Sequence, residues 1–345
     1  MGAAKYGAIR GMFEALWLSR LPALLRQLSS SKGVIFTLHR VLPEAPAAFS
    51  PNRILQVRPD FLDHTIERVR QLGLDIVDLD EAVRRIEEPG RTRKFVVFTF
   101  DDGYRDNRDH ALPILRKHDC PFTLYLPTAL VDGDGEVWWQ ALEDIIARNP
   151  VVTAPGEGER FDTADLGGKQ AAYDALYWRM RKMPESERVS LMRGLAERYD
   201  LDLGRHCRAL IMDWMELKSF AQDPLCTVGA HTVHHYELAK LPEAEARTEI
   251  AQSVSIIAAR LGTRPQHLSY PIGGNASAGP REYGLASALG FRSAVTTRPG
   301  GLTHRHKDSL TALPRVSLNG LFQQNRYVDV FATGPVFSVI GKVMG

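Results

Sequence analysis

Two short polar runs, each placed directly after an apolar stretch, contain the residue types that metal-assisted hydrolysis needs. In the first, KFVVFTFDDGYRDN at 94–107, Asp101 and Asp102 follow a six-residue apolar strand candidate. Two adjacent carboxylates at a strand end favour a metal, a cationic partner or solvent, because an unpaired buried charge is unfavourable. The simpler alternative is a turn or a helix N-cap, where Asp and Gly are also common.

The second run, VGAHTVHHYEL at 228–238, supplies imidazoles. His231 and His235 are four residues apart, a spacing that puts both on one side of a helical turn. Two histidines and a carboxylate from elsewhere form a metal site that leaves positions open for water and substrate. His234 is a rival ligand. A lone histidine is more often structural, but three in five positions at a strand end favour a ligand role.

The elements that must position these runs alternate between strands and helices. The strand candidates are Val34–Leu38, Ile76–Leu79, Phe95–Phe100, Phe122–Leu126, Thr227–Ala230, Leu268–Tyr270, Arg292–Val295 and Ala312–Val316. The main helix candidates are Phe61–Leu72, Asn107–His118, Val137–Arg148, Glu243–Leu261 and Pro280–Leu289. Several strands are apolar throughout, as strands buried on both faces are. The alternation predicts an α/β fold with a mostly parallel sheet, open or closed into a barrel.

Thr99–Gly103 (TFDDG) and His231–His235 (HTVHH) resemble the two signatures of the polysaccharide deacetylase family, the NodB homology domain of carbohydrate esterase family 4. That family includes the chitooligosaccharide deacetylases of nodulation. The likeness extends over roughly residues 33–318. It includes the runs GVIFTLHRV at 33–41, PFTLYL at 121–126, SYPIG at 269–273 and LPRV at 313–316. The resemblance implies a distorted (β/α) barrel and a divalent metal, commonly Zn²⁺.

The resemblance also implies a role for each matching residue. Asp101 is the general base, and Asp102, His231 and His235 are the metal ligands. The backbone N–H of Ile272 lies where the family places its oxyanion donor. These roles agree with the chemistry expected from the residue types, in which a metal polarises the acetamide and a carboxylate takes the proton of the attacking water.

Three departures from the family pattern concern the catalytic groups. Many members carry an arginine that pairs with the base at the position of Ser269, and serine cannot keep Asp101 ionised by charge. Many members also take a general acid from a late leucine-x-histidine motif, where this chain has Arg315. That arginine could bind a substrate anion or pair with Asp101. Tyr236 follows the second metal ligand in place of the usual proline.

The general acid therefore needs another source. His39 directly follows the first strand candidate and can donate a proton near neutral pH; the alternative is that it only caps or hydrogen-bonds within the barrel. His304 and His306 lie in a basic loop and are weaker candidates. Trp138 and Trp139 could stack on sugar rings or pack in the core.

The ends of the chain differ from its middle. We expect an N-terminal amphipathic helical segment at 1–32 that Pro22 ends or kinks, the barrel at 33–320 with a helical insertion at about 152–222, and an apolar tail at 321–345. The first segment is too interrupted to span a membrane and lacks a signal-peptide pattern. Either its helix docks on the domain, or it lies on the inner face of a membrane as an interfacial helix. The tail could pack on it or share that contact.

Composition limits the partners and the compartment. The 43 basic and 41 acidic residues give a net charge of +2, which argues against a nucleic-acid partner. The three cysteines form no C-x-x-C pair, which fits a reducing, cytoplasmic compartment. Nothing in the sequence fixes the number of subunits.

The predicted function is a metal-dependent hydrolase that removes N-acetyl groups from an N-acetylated carbohydrate, either an oligo- or polysaccharide or a lipid-linked sugar. The bond broken is a carbon–nitrogen bond other than a peptide bond. Two alternatives stay open at this point. The same site could cleave O-acetyl esters or other amides, or the barrel could bind glycans without turnover.

Overall fold

The computed structural model describes residues 3–156, 158–334 and 336–337. Its strands are β1 Gly33–Leu38, β2 Arg40–Val41, β3 Gln56–Val57, β4 Asp75–Ile76, β5 Phe95–Asp101, β6 Phe122–Leu126, β7 Val151–Thr153, β8 Arg160–Asp162, β9 Cys226–Ala230, β10 His267–Ser269, β11 Ser293–Val295 and β12 Val316–Ser317. Eight of them form one parallel sheet in the order β11-β10-β9-β6-β5-β1-β12, with β4 beside the start of β5. β1 and β5 are buried along their whole length, which explains why their sequences are mostly apolar.

The segment that contains β12 joins the two edges of this sheet. Leu313 forms a parallel bridge with Val295 of β11, and three residues later Val316 pairs with Phe36 of β1. The sheet is thereby curled into a distorted barrel with helices around it, and the predicted α/β barrel fold is confirmed.

The helices surround the sheet and continue into the insertion. They are α1 Ala3–Leu18, α2 Leu21–Leu28, α3 Pro59–Gln71, α4 Leu79–Glu87, α5 Leu112–Lys117, α6 Thr128–Asp132, α7 Trp138–Arg148, α8 Leu166–Lys182, α9 Glu185–Arg198, α10 Leu203–Leu210, α11 Trp214–Phe220, α12 Glu243–Leu261, α13 Pro280–Ala288 and α14 Val328–Phe331.

Most predicted elements lie within a few residues of the observed ones, but two strand predictions were misplaced. The strand predicted at Ile76–Leu79 ends at Ile76, because the Asp78 side chain accepts a hydrogen bond from the Glu81 N–H and starts α4. The strand predicted at Ala312–Val316 begins only at Val316, since Ala312 ends a 3-10 turn and Leu313 forms a single bridge to the other edge of the sheet.

The region between α7 and β9 holds the antiparallel β7–β8 hairpin and the four helices α8 to α11. It is joined to the end of β5, where Met212 N–H donates to the carbonyl of Gly103 and Tyr104 bridges Ile211. Gly103 is required there: its φ is 74°, and a Cβ would meet the Leu126 side chain at 2.9 Å. The turn that carries the two aspartates is therefore fixed partly by this region.

The N-terminal helices pack against the C-terminal part of the chain. Phe13 of α1 is buried among the rings of Phe322, Tyr327, Phe331 and Phe337. The helical conformation is interrupted between α1 and α2, where Arg20 adopts a left-handed backbone conformation. No helix of the described residues is long and apolar enough to cross a membrane. Residues 338–345 of the predicted tail and residues 1–2 lie outside the described ranges, and the division into segments stays a prediction.

Candidate active site

The strand register brings the two polar runs together at the carboxyl ends of the strands. Leu38 pairs with Phe100, so the next residues, His39 and Asp101, follow side by side. β9 lies beyond β6 in the same sheet, and His231 directly follows its last residue. All six predicted site residues line one cavity of about 120 Å³. Its lining residues are His39, Asn52, Ile54, Leu55, Asp101, Asp102, Trp138, Trp139, Tyr177, His231, His235, Ile272 and Thr297.

Asp102, His231 and His235 form a buried group whose ligand atoms all lie within 4.8 Å of one another. Asp102 Oδ1 is 3.6 Å from His231 Nε2 and 3.5 Å from His235 Nε2. His231 Nδ1 is 2.6 Å from the carbonyl of Ser269, so Nδ1 is the protonated nitrogen and Nε2 offers its lone pair to the centre of the group. A carbonyl behind a ligating imidazole is a common means of orienting it.

The electrostatics of this group fit a divalent cation. Burial and the adjacent Asp101 charge raise the pKa of Asp102 well above its usual range, and Asp102 Oδ1 has no hydrogen-bond partner among the described residues. Burial lowers the pKa of both His231 and His235, so both rings are neutral and can bind a metal. A buried carboxylate without a donor and two neutral imidazoles are the oxygen and nitrogen ligands that zinc accepts.

The backbone of the site is strained. Seven non-glycine residues of the described chain have positive φ, and four of them belong to this site: Asp102 at 77°, Thr232 at 65°, His235 at 59° and Ile272 at 61°. Such conformations are unfavourable for residues with a Cβ and concentrate at functional sites.

The spacing of the two histidines suggested that they share a helical turn, but they do not. Residues 231–237 form a non-helical loop, and the positive φ values of Thr232 and His235 direct both imidazoles to the centre. Thr232 Oγ1 accepts a hydrogen bond from the His235 N–H at 3.1 Å and braces this loop. His234 points elsewhere: its Nδ1 is 2.6 Å from Glu249 Oε1, which removes it from the ligand set.

Asp101 is held by an arginine from the segment that joins the two edges of the sheet. Arg315 donates through Nη1 to Asp101 Oδ1 at 2.8 Å and through Nη2 to Oδ2 at 2.7 Å, and its side chain is fully buried. Ser269 Oγ also donates to Asp101 Oδ2, at 3.3 Å. Burial alone would raise the pKa of Asp101, but the charge and hydrogen bonds of Arg315 outweigh burial and lower it. Of the two roles considered for Arg315, the structure shows the pairing with Asp101.

His39 and Ile272 complete the predicted set. Burial lowers the pKa of His39 to about 4, with Asp101 opposing this shift and Arg315 reinforcing it. The ring is therefore neutral near neutral pH, and it can donate a proton only after receiving one during the reaction. Ile272 lines the cavity, and its backbone N–H takes part in none of the hydrogen bonds found among the described residues.

Aromatic rings form one wall of the cavity. Both tryptophans are buried and line it, so each has a packing contact as well as a place at the site. Trp139 donates from Nε1 to Tyr104 Oη at 2.9 Å and lies 5.0 Å from the His235 ring, while Trp138 stacks on Tyr177 at 5.3 Å. Tyr177 comes from α8 in the inserted region.

Several cavity residues were missed by sequence reasoning. Asn52, Ile54 and Leu55 come from the segment before β3, Tyr177 from α8, and Thr297 from the loop after β11. None of them stands in a motif, so only the fold could reveal them. The pairing of Arg315 with Asp101 did leave a signal, because the expected arginine is absent at position 269 and an unexpected one stands at position 315.

The sequence that forms this site matches the model of a known protein family. The family model described as polysaccharide deacetylase matches residues 88–149 and 189–292. Between these two stretches lies the part of the chain that contains β7, β8 and α8. No curated protein sequence matched the chain.

Several solved structures of deacetylases have a similar fold. A deacetylase of Streptococcus pyogenes, PplD in complex with acetate, is 16% identical with a TM-score of 0.58 over 88% of this chain and 99% of its own. IcaB from Ammonifex degensii is 20% identical with a TM-score of 0.56, again over 88% of this chain and 99% of its own. The deacetylase domain of BpsB from Bordetella bronchiseptica is 16% identical with a TM-score of 0.51 over 82% of this chain and 94% of its own. At these identities the likeness shows a shared fold.

Proposed function

The chain belongs to the polysaccharide deacetylase family, hydrolases of carbon–nitrogen bonds, and from that premise we propose that it removes N-acetyl groups from an N-acetylated carbohydrate in a metal-dependent reaction. The observation that carries the proposal is the juxtaposition of two sets of residues. A buried Asp102–His231–His235 group lies beside a second carboxylate, Asp101, which an arginine keeps ionised. One set fits a Lewis acid and the other fits a general base.

Asp102, His231 and His235 would hold the metal, and the donor set favours Zn²⁺. When bound, the metal supplies Lewis-acid chemistry by polarising the acetamide carbonyl and acidifying the attacking water. The strained loops hold the three side chains in position before the metal and substrate bind, so these ligands do not have to rearrange during the reaction.

The chain's own groups move the protons. Asp101, ionised through Arg315, accepts the proton of the attacking water, and the Ile272 N–H donates to the developing oxyanion. The amine must leave with a proton. We assign this last transfer to His39: the proton that Asp101 takes from the water passes to the neutral His39 ring, and from there to the amine nitrogen as the carbon–nitrogen bond breaks and acetate forms.

The walls of the cavity support a sugar as the substrate. Trp138 and Tyr177 present aromatic surface beside the ligand group, on which a sugar ring can stack. The substrate we propose is an oligo- or polysaccharide or a lipid-linked sugar. For location we propose the cytoplasm, with peripheral contact at the inner membrane face through the N-terminal helices.

The test of this function is acetate release from chitooligosaccharides by the wild type and by Asp101→Asn, with metal content measured on both. We expect equal metal content and a loss of activity in the variant of at least about a hundredfold, the usual contribution of a general base. Asp329→Asn is the matched control, because Asp329 also pairs with an arginine through two hydrogen bonds but lies far from the site. It should keep full activity.

Two outcomes would contradict the proposal. If the wild type holds metal and releases acetate only from O-acetylated sugars, the enzyme is an esterase. If it holds metal and hydrolyses neither class, the barrel binds glycans without turnover.

A further inference from the structure

Exposed apolar side chains concentrate on one short stretch of the chain. Eight large hydrophobic residues are exposed among those described, and five of them lie within 12 consecutive positions: Trp17, Leu18, Leu21, Leu24 and Leu28. The remaining three are Leu166 and Trp178, at separate positions of α8, and Met215 of α11. A contiguous apolar surface of this kind marks an interaction site, whereas scattered apolar residues do not.

The stretch is held firmly, so its apolar side chains are not exposed by loose packing. Pro22 is buried, and Leu25 packs against the core. Arg26 donates from Nη1 to the Asp329 carbonyl at 2.8 Å. The fold thus fixes α2 in place and leaves its other side facing outwards.

A basic cavity of about 1180 Å³ adjoins this apolar surface and shares Arg26, Gln27 and Leu28 with it. Its basic lining residues are Arg26, Lys32, Arg91, Lys94, His304, Arg305 and His306, and no carboxylate residue lines it among the described residues. Lys94 shows the crowding of positive charge, since burial and then the nearby Arg91 charge lower its pKa. We call Trp17–Leu28 together with this cavity the apolar–basic face.

The apolar–basic face is at the opposite end of the barrel from the active site. Lys32 directly precedes β1 and Lys94 directly precedes β5, whereas the catalytic residues follow the carboxyl ends of the same strands. β5 has seven residues, which at ~3.3 Å each separate the two sites by roughly 20 Å. The face is therefore distinct from the substrate cavity.

We propose that the apolar–basic face docks on the surface of an anionic phospholipid bilayer. The apolar side chains of α2 would enter the boundary of the acyl chains, and the exposed cations of the adjoining cavity, Arg91 and Arg305, would meet the lipid phosphates. Charge complementarity favours this occupant over a second copy of the chain, because a symmetric dimer would bring two basic cavities together. The inference extends the proposed membrane contact and does not depend on the proposed chemistry.

One consequence concerns the substrate. A bilayer on this face leaves the catalytic cavity open on the far side of the barrel, roughly 20 Å from the lipid. A glycan attached to that bilayer would have to reach the cavity through an extended chain, while a free glycan would meet it directly.

The test is co-sedimentation of the full chain with vesicles of equimolar phosphatidylglycerol and phosphatidylcholine, compared with phosphatidylcholine alone. We expect binding to the anionic vesicles, weakened about tenfold or more by Leu24→Asp with Leu28→Asp and by Arg91→Glu with Arg305→Glu. The matched controls are Leu166→Asp with Met215→Asp, and Lys218→Glu with Arg247→Glu, which alter exposed residues elsewhere and should bind as the wild type does.

The outcomes separate this inference from the proposed catalysis, because acetate release from soluble chitooligosaccharides should be the same in all these variants. Absence of vesicle binding, or equal binding by wild type and variants, would overturn the inference and leave the proposed reaction intact. A lipid-free dimer that the Leu24→Asp, Leu28→Asp variant dissociates would assign the face to a second copy and would also overturn it.

Discussion

At the scale of single residues, the pairing of Asp101 with Arg315 compensates for a departure from the family pattern. From the sequence alone, that departure was visible only as a missing arginine at position 269. The position from which many family members supply an arginine to the base is Ser269 here, and its hydroxyl contacts the same carboxylate. The arginine has instead been provided from β12's side of the barrel, at the place of the family's late histidine. The two departures are therefore one rearrangement, and they leave the general-acid role to a residue such as His39.

Removal of Arg315 should disable the base. Arg315→Met leaves Asp101 buried without a cation, which favours its protonated form. We expect kcat/KM for acetate release to fall about a hundredfold. Returning an arginine from the end of β10, as Ser269→Arg in the same chain, should restore a substantial part of the activity, because Ser269 already contacts Asp101.

Rescue distinguishes positioning of the base from general damage to the fold. Arg68→Met, which removes an arginine that pairs with Asp329 far from the site, is the control and should stay active. If Arg315→Met keeps wild-type activity, or if Ser269→Arg restores folding but no activity, Arg315 does not act through the base.

The sequence identified the residues that lie in motifs, and for a physical reason. Asp101 and Asp102 follow a strand whose apolar character reveals it, and the histidines follow another, so parallel strands bring them to one edge. Tyr177 and Asn52 carry no such signal, because their places depend on how a helix and a loop pack over that edge.

At the scale of elements, strands and helices were predictable wherever hydrophobic patterning was strong. β6 and α12 match their predicted bounds, while β4 and β12 are short and take part in the sheet through only two residues each. The loop geometry around the metal ligands was not predictable. It depends on positive φ values at Thr232 and His235, which their residue types disfavour and which tertiary contacts impose.

The ion pairs between Glu216 of α11 and the arginines Arg105 and Arg108, which follow the catalytic turn, should make stability depend on pH. Burial acts to raise the pKa of Glu216, but hydrogen bonds from Arg105, the Asp213 N–H and Arg108 lower it to about 2. Because its folded pKa lies below the unfolded value of about 4.3, the stabilisation is present above that pH and is lost as pH falls towards 2.

Glu216→Gln should therefore lower the free energy of unfolding at neutral pH, and the gap from the wild type should narrow as the solution is acidified below about pH 4.3. Urea unfolding at a series of pH values measures this. Exposed Glu197→Gln is the control and should follow the wild type throughout. If the difference in the free energy of unfolding between the two proteins stays constant from neutral pH to pH 3, the ion pairs of Glu216 do not stabilise the fold.

At the scale of the whole molecule, a parallel barrel has two chemically different ends, and this chain uses both. Strained loops at the carboxyl ends gather carboxylates and imidazoles, while the amino ends lie beside α2 and a cavity lined with basic side chains. Fold class followed from strand–helix alternation in the sequence. The basic cavity did not, because its basic residues come from three separate parts of a chain whose net charge is only +2.

The central claim is that Asp102, His231 and His235 hold one metal that the reaction needs. The most direct test is acetate release from chitooligosaccharides by the metal-stripped chain during titration with Zn²⁺. The account predicts no activity without metal, and activity that rises linearly and reaches a plateau at one equivalent of Zn²⁺. Full activity in the metal-free chain, or an unchanged titration curve in His231→Ala, would contradict it.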